Sequence, residues 1–365
     1  MSGIRPILER YASGYLDQVA ALSYEELADY QSPPFATIAC GAGGIAYALW
    51  RVGVSRSDPG LLAAARRWTD EALTARSQRS AFVGGVFAGE HADSSVFYGP
   101  AGIDLCDALV SQACREPRRA ERAFGRFAVA ARRALRSSST ELLRGGAGFL
   151  SGASLLAAGL PGPAPRRLEE ELARALAAAA REPLDRPGMG HGDAGLLFAL
   201  LRFAERRGRR VPPAVRVGLE RLAGLGVRAG RGTRWPTSDA TVPHDGGWCR
   251  GSAGYALLFA KAHEVTGDAA YARLARRAGR DARDNPNAIP DLCCGAVGSA
   301  YAMLALARID PGRGWRRRAG ELAMAVMVSE IQPEWAHGLF KGEAGTFCLA
   351  LDLLSGETRF PCLEA

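Results

Sequence analysis

Three cysteines offer the chemistry in this sequence. Cys293 and Cys294 are neighbours in Asp291-Leu292-Cys293-Cys294-Gly295, on the lip of a glycine turn that opens an apolar run. Cys249, in Trp248-Cys249-Arg250-Gly251, stands at the same offset from a Gly-x-x-Gly signature as Cys293 does. Adjacent cysteines do not readily bridge, because neighbouring Cα atoms lie ~3.8 Å apart while a disulfide wants roughly 5.5 Å. They read instead as ligands. Soft thiolates select zinc over magnesium or calcium, and three protein ligands with an open fourth position make the pattern of a catalytic rather than a structural zinc site. A thiol bound there loses its proton and is held for attack.

The elements that must bring these thiols together repeat along the chain. Gly-x-x-Gly starts at Gly41, Gly99, Gly145, Gly192, Gly251, Gly295 and Gly342, at intervals of 44 to 59 residues. After each signature comes an apolar run of helical character (45–50, 103–110, 149–156, 196–203, 255–262, 299–306 and 346–354). These runs are apolar nearly all round, which predicts buried helices. Ahead of each lies an amphipathic, charged stretch (5–29, 61–76, 118–136, 166–181, 213–225, 269–284 and 313–330), which predicts an outer helix. Seven outer and seven inner helices that hide apolar faces against their neighbours predict an all-α fold, an α/α toroid of seven helical hairpins, in a single domain over 1–365. Every inner helix then begins at one mouth of the barrel, where converging N-termini favour thiolates.

The repeat also assigns the rim of that mouth. The residue before the first glycine is, in order, Cys40, Tyr98, Arg144, His191, Arg250, Cys294 and Lys341; one step earlier stand Ala39, Phe97, Leu143, Gly190, Cys249, Cys293 and Phe340. Cys249, Cys293 and Cys294 thus approach from two neighbouring wedges, and His191 faces them from the wedge before. Glycines on both sides leave little to bury His191, so it reads as functional. Cys106, Cys114 and Cys348 lie in apolar segments and read as small buried hydrophobes; Cys40 reads as a bystander. Two longer connections, 77–98 and 226–248, run into the same mouth and read as lids or peptide-binding walls, the second carrying Trp235 and Asp245.

Composition excludes other classes. No window holds the roughly 18 uninterrupted apolar residues of a membrane span, and the N-terminus lacks a basic, apolar and small-residue signal. Eight cysteines are too sparse for a disulfide scaffold, so the expected location is cytoplasmic. The net charge of +8 comes largely from arginine clusters such as 115–122 and 206–210. These read as solvated helix faces, with an acidic peptide or nucleic acid as the rival partner.

Gly-Met-Gly-His191-Gly, Trp-Cys249-Arg-Gly and Cys293-Cys294-Gly, in this order and spacing, resemble the motifs of the lanthionine synthetase C-like proteins, the lanthipeptide cyclases. The resemblance covers essentially the whole chain. It implies a seven-pair α-toroid and a Zn²⁺ ion held by two cysteines and a histidine. It further implies activation of peptide cysteine thiols for addition to dehydroalanine or dehydrobutyrine. Residue by residue, Cys249 and Cys293 match the two cysteine ligands, Cys294 stands where the usual motif has histidine, and His191 matches the acid/base histidine. Three departures follow: Arg250 replaces a tyrosine, Asp245 an arginine, and Glu141 stands where the third repeat has a rim aspartate. Arg250 is then a candidate for stabilising the enolate oxygen, and Glu141, Trp235 and Asp245 are candidate substrate contacts. The implied partner is a dehydrated precursor peptide, with a dehydratase or another peptide-modifying enzyme beside it and no nucleic acid.

Three rivals carry different tests. A zinc-dependent alkyl transferase on a similar toroid would demand a ring of aromatics. A carboxylate-paired glycosidase would conscript Asp193, Asp239 and Asp245 and leave the cysteines unexplained. A non-catalytic subunit would merely capture thiol peptides or leader sequences.

Overall fold

Each Gly-x-x-Gly folds the chain back onto the carbonyl six residues upstream of its second glycine. A Cβ on Gly44, Gly102, Gly148, Gly195, Gly254, Gly298 or Gly345 would lie 2.1–2.5 Å from the oxygen of Ile38, Val96, Leu142, Met189, Trp248, Leu292 or Leu339. The signature is therefore a close-approach requirement, and only a residue without a Cβ meets it. The computed structural model describes residues 2–31, 33–83, 95–137, 139–182, 186–237, 246–329 and 336–364.

The chain forms an α/α toroid. From these turns start the inner helices α3 (Ala42–Arg56), α5 (Pro100–Ala113), α7 (Gly146–Gly159), α9 (Asp193–Arg206), α11 (Ser252–Thr266), α13 (Ala296–Ile309) and α15 (Glu343–Ser355). They are buried on every side over most of their length: each residue of α11 from Ser252 to Ala262 is buried. Between them run the outer helices α1 (Arg5–Ala21), α4 (Pro59–Thr74), α6 (Pro117–Ala134), α8 (Ala164–Ala179), α10 (Pro213–Gly224), α12 (Ala269–Asp284) and α14 (Trp315–Met327). These bury one stripe each, as α12 does with Tyr271, Ala272, Ala275, Ala278, Gly279 and Ala282. Each inner helix packs on the next, and α15 packs on α3, which closes the ring.

Two features differ from the sequence reading. The first outer stretch breaks at Leu22, and Ser23 caps a separate short helix α2 (Tyr24–Tyr30) through a capping box with Glu26. The second long connection contains a two-stranded hairpin, β1 (Val227–Ala229) and β2 (Gly232–Arg234), turning at Gly230 with φ +54°. Several arginines of the expected solvated faces are also spent inside the protein. Asp104 and Asp107 of α5 are buried, and Asp107 accepts from Arg66 (3.0 Å), Arg119 (2.7 Å) and Arg126 (2.8 Å). Arg206 pairs likewise with buried Glu169 (3.3 Å). A carboxylate on a fully buried helix needs such partners, so these cations pin outer helices to inner ones.

Residues 356–364 turn back from α15 into the ring. Phe360 is fully buried against Trp248 (5.1 Å between ring centroids) and Tyr301 (5.3 Å). Glu364 is buried among Arg308 (3.2 Å), Lys261 (3.3 Å) and Arg202 (4.0 Å). Burial would raise its pKa, but these cations hold it down to about 2. The base of the barrel is thus filled by the chain's own tail. Among the described residues no helix is long and apolar enough to cross a membrane.

Candidate metal centre

At the opposite end, the residues two places before each signature are stitched together by their backbones. Ala39 N–H donates to Phe97 (3.0 Å), Phe340 to Ala39 (3.0 Å), Cys293 to Phe340 (3.0 Å), Cys249 to Cys293 (3.0 Å), Gly190 to Cys249 (2.7 Å) and Leu143 to Gly190 (2.9 Å). The remaining link runs through a side chain: the Ser95 hydroxyl donates to Leu143 O (2.6 Å) and accepts from Phe97 N–H (3.1 Å). All seven wedges are joined in this belt. Cys249 and Cys293 each contribute both an N–H and a C=O to it, so their Cα atoms cannot drift independently of their neighbours.

Small residues let the turns approach this closely. A Cβ on Gly247 would lie 2.4 Å from Cys294 O, and one on Gly190 would lie 3.0 Å from Cys249 Cβ. The three thiols consequently meet, with all three sulfurs within 4.8 Å of one another. Cys294 Sγ lies 3.4 Å from Cys249 Sγ and 3.7 Å from Cys293 Sγ. A tetrahedral zinc with Zn–S bonds of ~2.3 Å sets its sulfurs ~3.8 Å apart. The donor set fits such an ion with small adjustments.

The electrostatics of the cluster are uneven. Hydrogen bonding from Cys249 and Cys293, together with the Lys341 ammonium, holds the Cys294 thiol far below its ordinary pKa despite burial. Cys293 moves the other way, pushed up by its hydrogen bonds to Cys249 and Cys294 and by burial. Asp291 caps this turn, its Oδ1 accepting from Cys294 N–H (2.6 Å) and Gly295 N–H (2.8 Å). Burial, opposed by Lys341, pushes its carboxyl up to about 6. Lys341 Nζ donates to Cys294 Sγ at 3.1 Å. Tyr98, buried on the rim, has its hydroxyl pKa raised by burial and by the charges of Cys293 and Cys40. Its position was legible in the rim register.

His191 sits on the turn beside Cys249, its side chain 22% exposed, and its Nδ1 faces Glu141 Oε1 at 3.3 Å. The pairing makes Glu141 the orienting partner of His191, a contact the sequence did not reveal because fifty residues separate the two. The contact engages Nδ1 and leaves Nε2 as the other ring nitrogen. Arg250 lies half-buried on the turn between Cys249 and α11.

Trp235 departs from expectation. It is 3% exposed, its ring stacks on Tyr255 at 4.3 Å, and its indole N–H donates to Leu222 O at 2.6 Å. A tryptophan this deeply buried, with its only donor used inside the core, offers no surface to a peptide, so it anchors the hairpin against α10 and α11. Asp245 lies outside the described residues, as does Asp239. Asp193 is buried and paired with Arg221 (2.7 Å), which accounts for it without a glycosidase. Cys40, Cys106 and Cys348 are buried, and Cys114 half-buried.

Comparison with known proteins agrees with this architecture. A family model described as lanthionine synthetase C-like protein matches residues 34–365. Among solved structures the chain is similar to one titled nisin cyclase, with a TM-score of 0.70 and 14% identity, over 98% of this chain and 96% of that one. That likeness is one of fold.

Proposed function

The chain belongs to the lanthionine synthetase C-like family, and from that premise we propose that it is a single-domain, zinc-dependent peptide cyclase. It adds cysteine thiols to dehydroalanine or dehydrobutyrine residues of a ribosomally made, dehydrated precursor peptide, closing thioether rings. The observation that carries this reading is the meeting of three thiols from two wedges beside an oriented histidine.

Cys249, Cys293 and Cys294 would hold the ion. Zinc, when bound, supplies the charge that lowers the pKa of an incoming thiol. The protein's own residues then handle one proton and one developing charge. Addition of S–H across Cα=Cβ forms a C–S bond at Cβ and leaves an enolate that is protonated at Cα, with no net gain or loss of protons. In this reading His191 Nε2 carries that proton, a role supported by the Nδ1 contact with Glu141, which would fix the orientation of the imidazole. Arg250 offers a cation to the enolate oxygen.

Ring closure leaves the peptide mass unchanged, so the test reads free thiol. A dehydrobutyrine peptide with one cysteine is incubated with the zinc-loaded protein, then alkylated and weighed. Loss of the alkylatable thiol beyond that in a protein-free control is the expected result. Unchanged alkylation with bound peptide would instead identify a capture protein, and unchanged alkylation without binding would reject the substrate class.

A further inference from the structure

Three thiolates around a dication leave a net charge of −1, and a fourth from a substrate makes it −2. In a site where Cys249 and Cys293 are each 3% exposed, that excess is costly unless a cation lies against it. One does. Lys341 comes from the seventh wedge and reaches the third thiol of the sixth, at 3.1 Å from Sγ of Cys294. Its own turn is held by backbone donation from Lys341 and Phe340 to Ala39 O, each at 3.0 Å, and by the Cys293 N–H to Phe340 O bond of the belt. On its other side Asp291 Oδ2 stands 3.7 Å from Nζ, farther than the sulfur. Asp291 spends its other oxygen on the two N–H groups of the Cys294 turn. The same carboxylate therefore sets both the sulfur and the ammonium that faces it. The choice of side chain is also informative: of 46 Lys and Arg in the chain, two are Lys, at 261 and 341. A compact ammonium acts as a point charge that can sit against one sulfur, where a planar guanidinium would spread over several acceptors.

We propose that Lys341 is the counter-cation of Cys294, a positioning residue that lets this chain carry a third thiolate where an imidazole would be neutral. The pairing rests on the metal-centre reading above and extends it to a residue outside the ligand set. It predicts that the two side chains are energetically coupled, and that Lys341 matters little to a site with only two thiolates.

A double-mutant cycle on zinc affinity tests it, by competition with a chromogenic chelator at fixed pH. Lys341→Gln should weaken zinc about tenfold or more in the parent protein, the range expected for losing a group that supports a ligand. The same change in the Cys294→His background should move affinity by no more than about twofold, which is within the error of additivity for uncoupled sites. Lys341→Arg should recover part of the loss. Thermal unfolding of the metal-free proteins checks that each variant is folded, and Lys341→Met carries the same comparison should the glutamine variant not fold. Equal losses in both backgrounds, or no loss in either, overturn the pairing while leaving the metal centre standing. A parent that takes up no zinc overturns both.

Discussion

The two lysines of this chain lie at opposite ends of one barrel, and each is the middle of a cluster of buried ionisable groups. At the base, Lys261 is 3% exposed and pairs with Glu205 (3.0 Å), Glu264 and Glu364 (3.3 Å), while Arg308 adds bonds to Glu264 (2.7 Å) and Glu364 (3.2 Å). Acids and bases alternate there and satisfy one another. At the mouth, Lys341 contacts Cys294 of the three-thiol cluster and lies beside the Asp291 carboxylate. The base cluster pairs acids with bases and holds residues 356–364 in place; the mouth brings together three thiols that could hold a metal ion. Lys261 is 3% exposed and Lys341 17%, and the proposed chemistry lies at the less buried of the two.

The largest expected effects lie at the mouth. Cys249→Ala or Cys293→Ala should abolish zinc binding and cyclisation while leaving the helical circular dichroism and the metal-free unfolding temperature unchanged, because the core is built by helix-on-helix packing round the ring. A collapse of the fold in either variant would break the comparison. His191→Asn should keep zinc and lose cyclisation ~10²–10⁴-fold, the usual contribution of a positioned acid or base. Zinc content by elemental analysis separates these outcomes, since loss of metal on changing His191 would make it a ligand.

The base should behave in the opposite way. Glu364→Ala strands Arg308 and Lys261 beside their remaining partners and should cost about 3–5 kcal/mol of stability, as breaking a buried pair does. Zinc stoichiometry should stay unchanged. The same residue sets an acid limb. Its pKa is lowered from 4.5 to about 2 in the folded protein, so its stabilisation is present above pH 4.5 and lost as pH falls towards 2. The amount at stake is on the order of 3 kcal/mol. Chemical unfolding of Glu364→Gln should therefore show a shallower decline over that window than the parent; an identical decline would remove Glu364 from the account.

The smallest effect sharpens the mouth itself. Cys294→His should retain zinc, because imidazole suits the ion at a similar reach. It should cyclise the same dehydrated peptide severalfold more slowly at equal zinc occupancy in single turnover, because a less negative centre leaves the bound sulfur less nucleophilic. Equal rates would show that the third thiolate does not set reactivity.

How much of this was written in the sequence depends on the range of the interaction concerned. The seven glycine signatures, the apolar and amphipathic segments and the shared offset of Cys249 and Cys293 were legible, because they answer to contacts within one hairpin: a carbonyl six residues back, a helical period, a turn. Repetition then multiplied a local signal into a ring. What the sequence could not state were choices between distant partners. Trp235 carried the mark of a peptide wall yet stacks on Tyr255; arginines of the outer helices pair with Asp104 and Asp107, and Arg206 of an inner helix pairs with Glu169; Phe360 lies against Trp248, 112 positions away. Glu141 meets His191 across a wedge boundary for the same reason; the rim register already set Lys341 in the wedge beside Cys294, and closure of the ring added the direct contact. A side chain's period along its own helix says which face is buried, and the repeat says which turns are neighbours, whereas the particular side chain met inside the ring is decided by its closure.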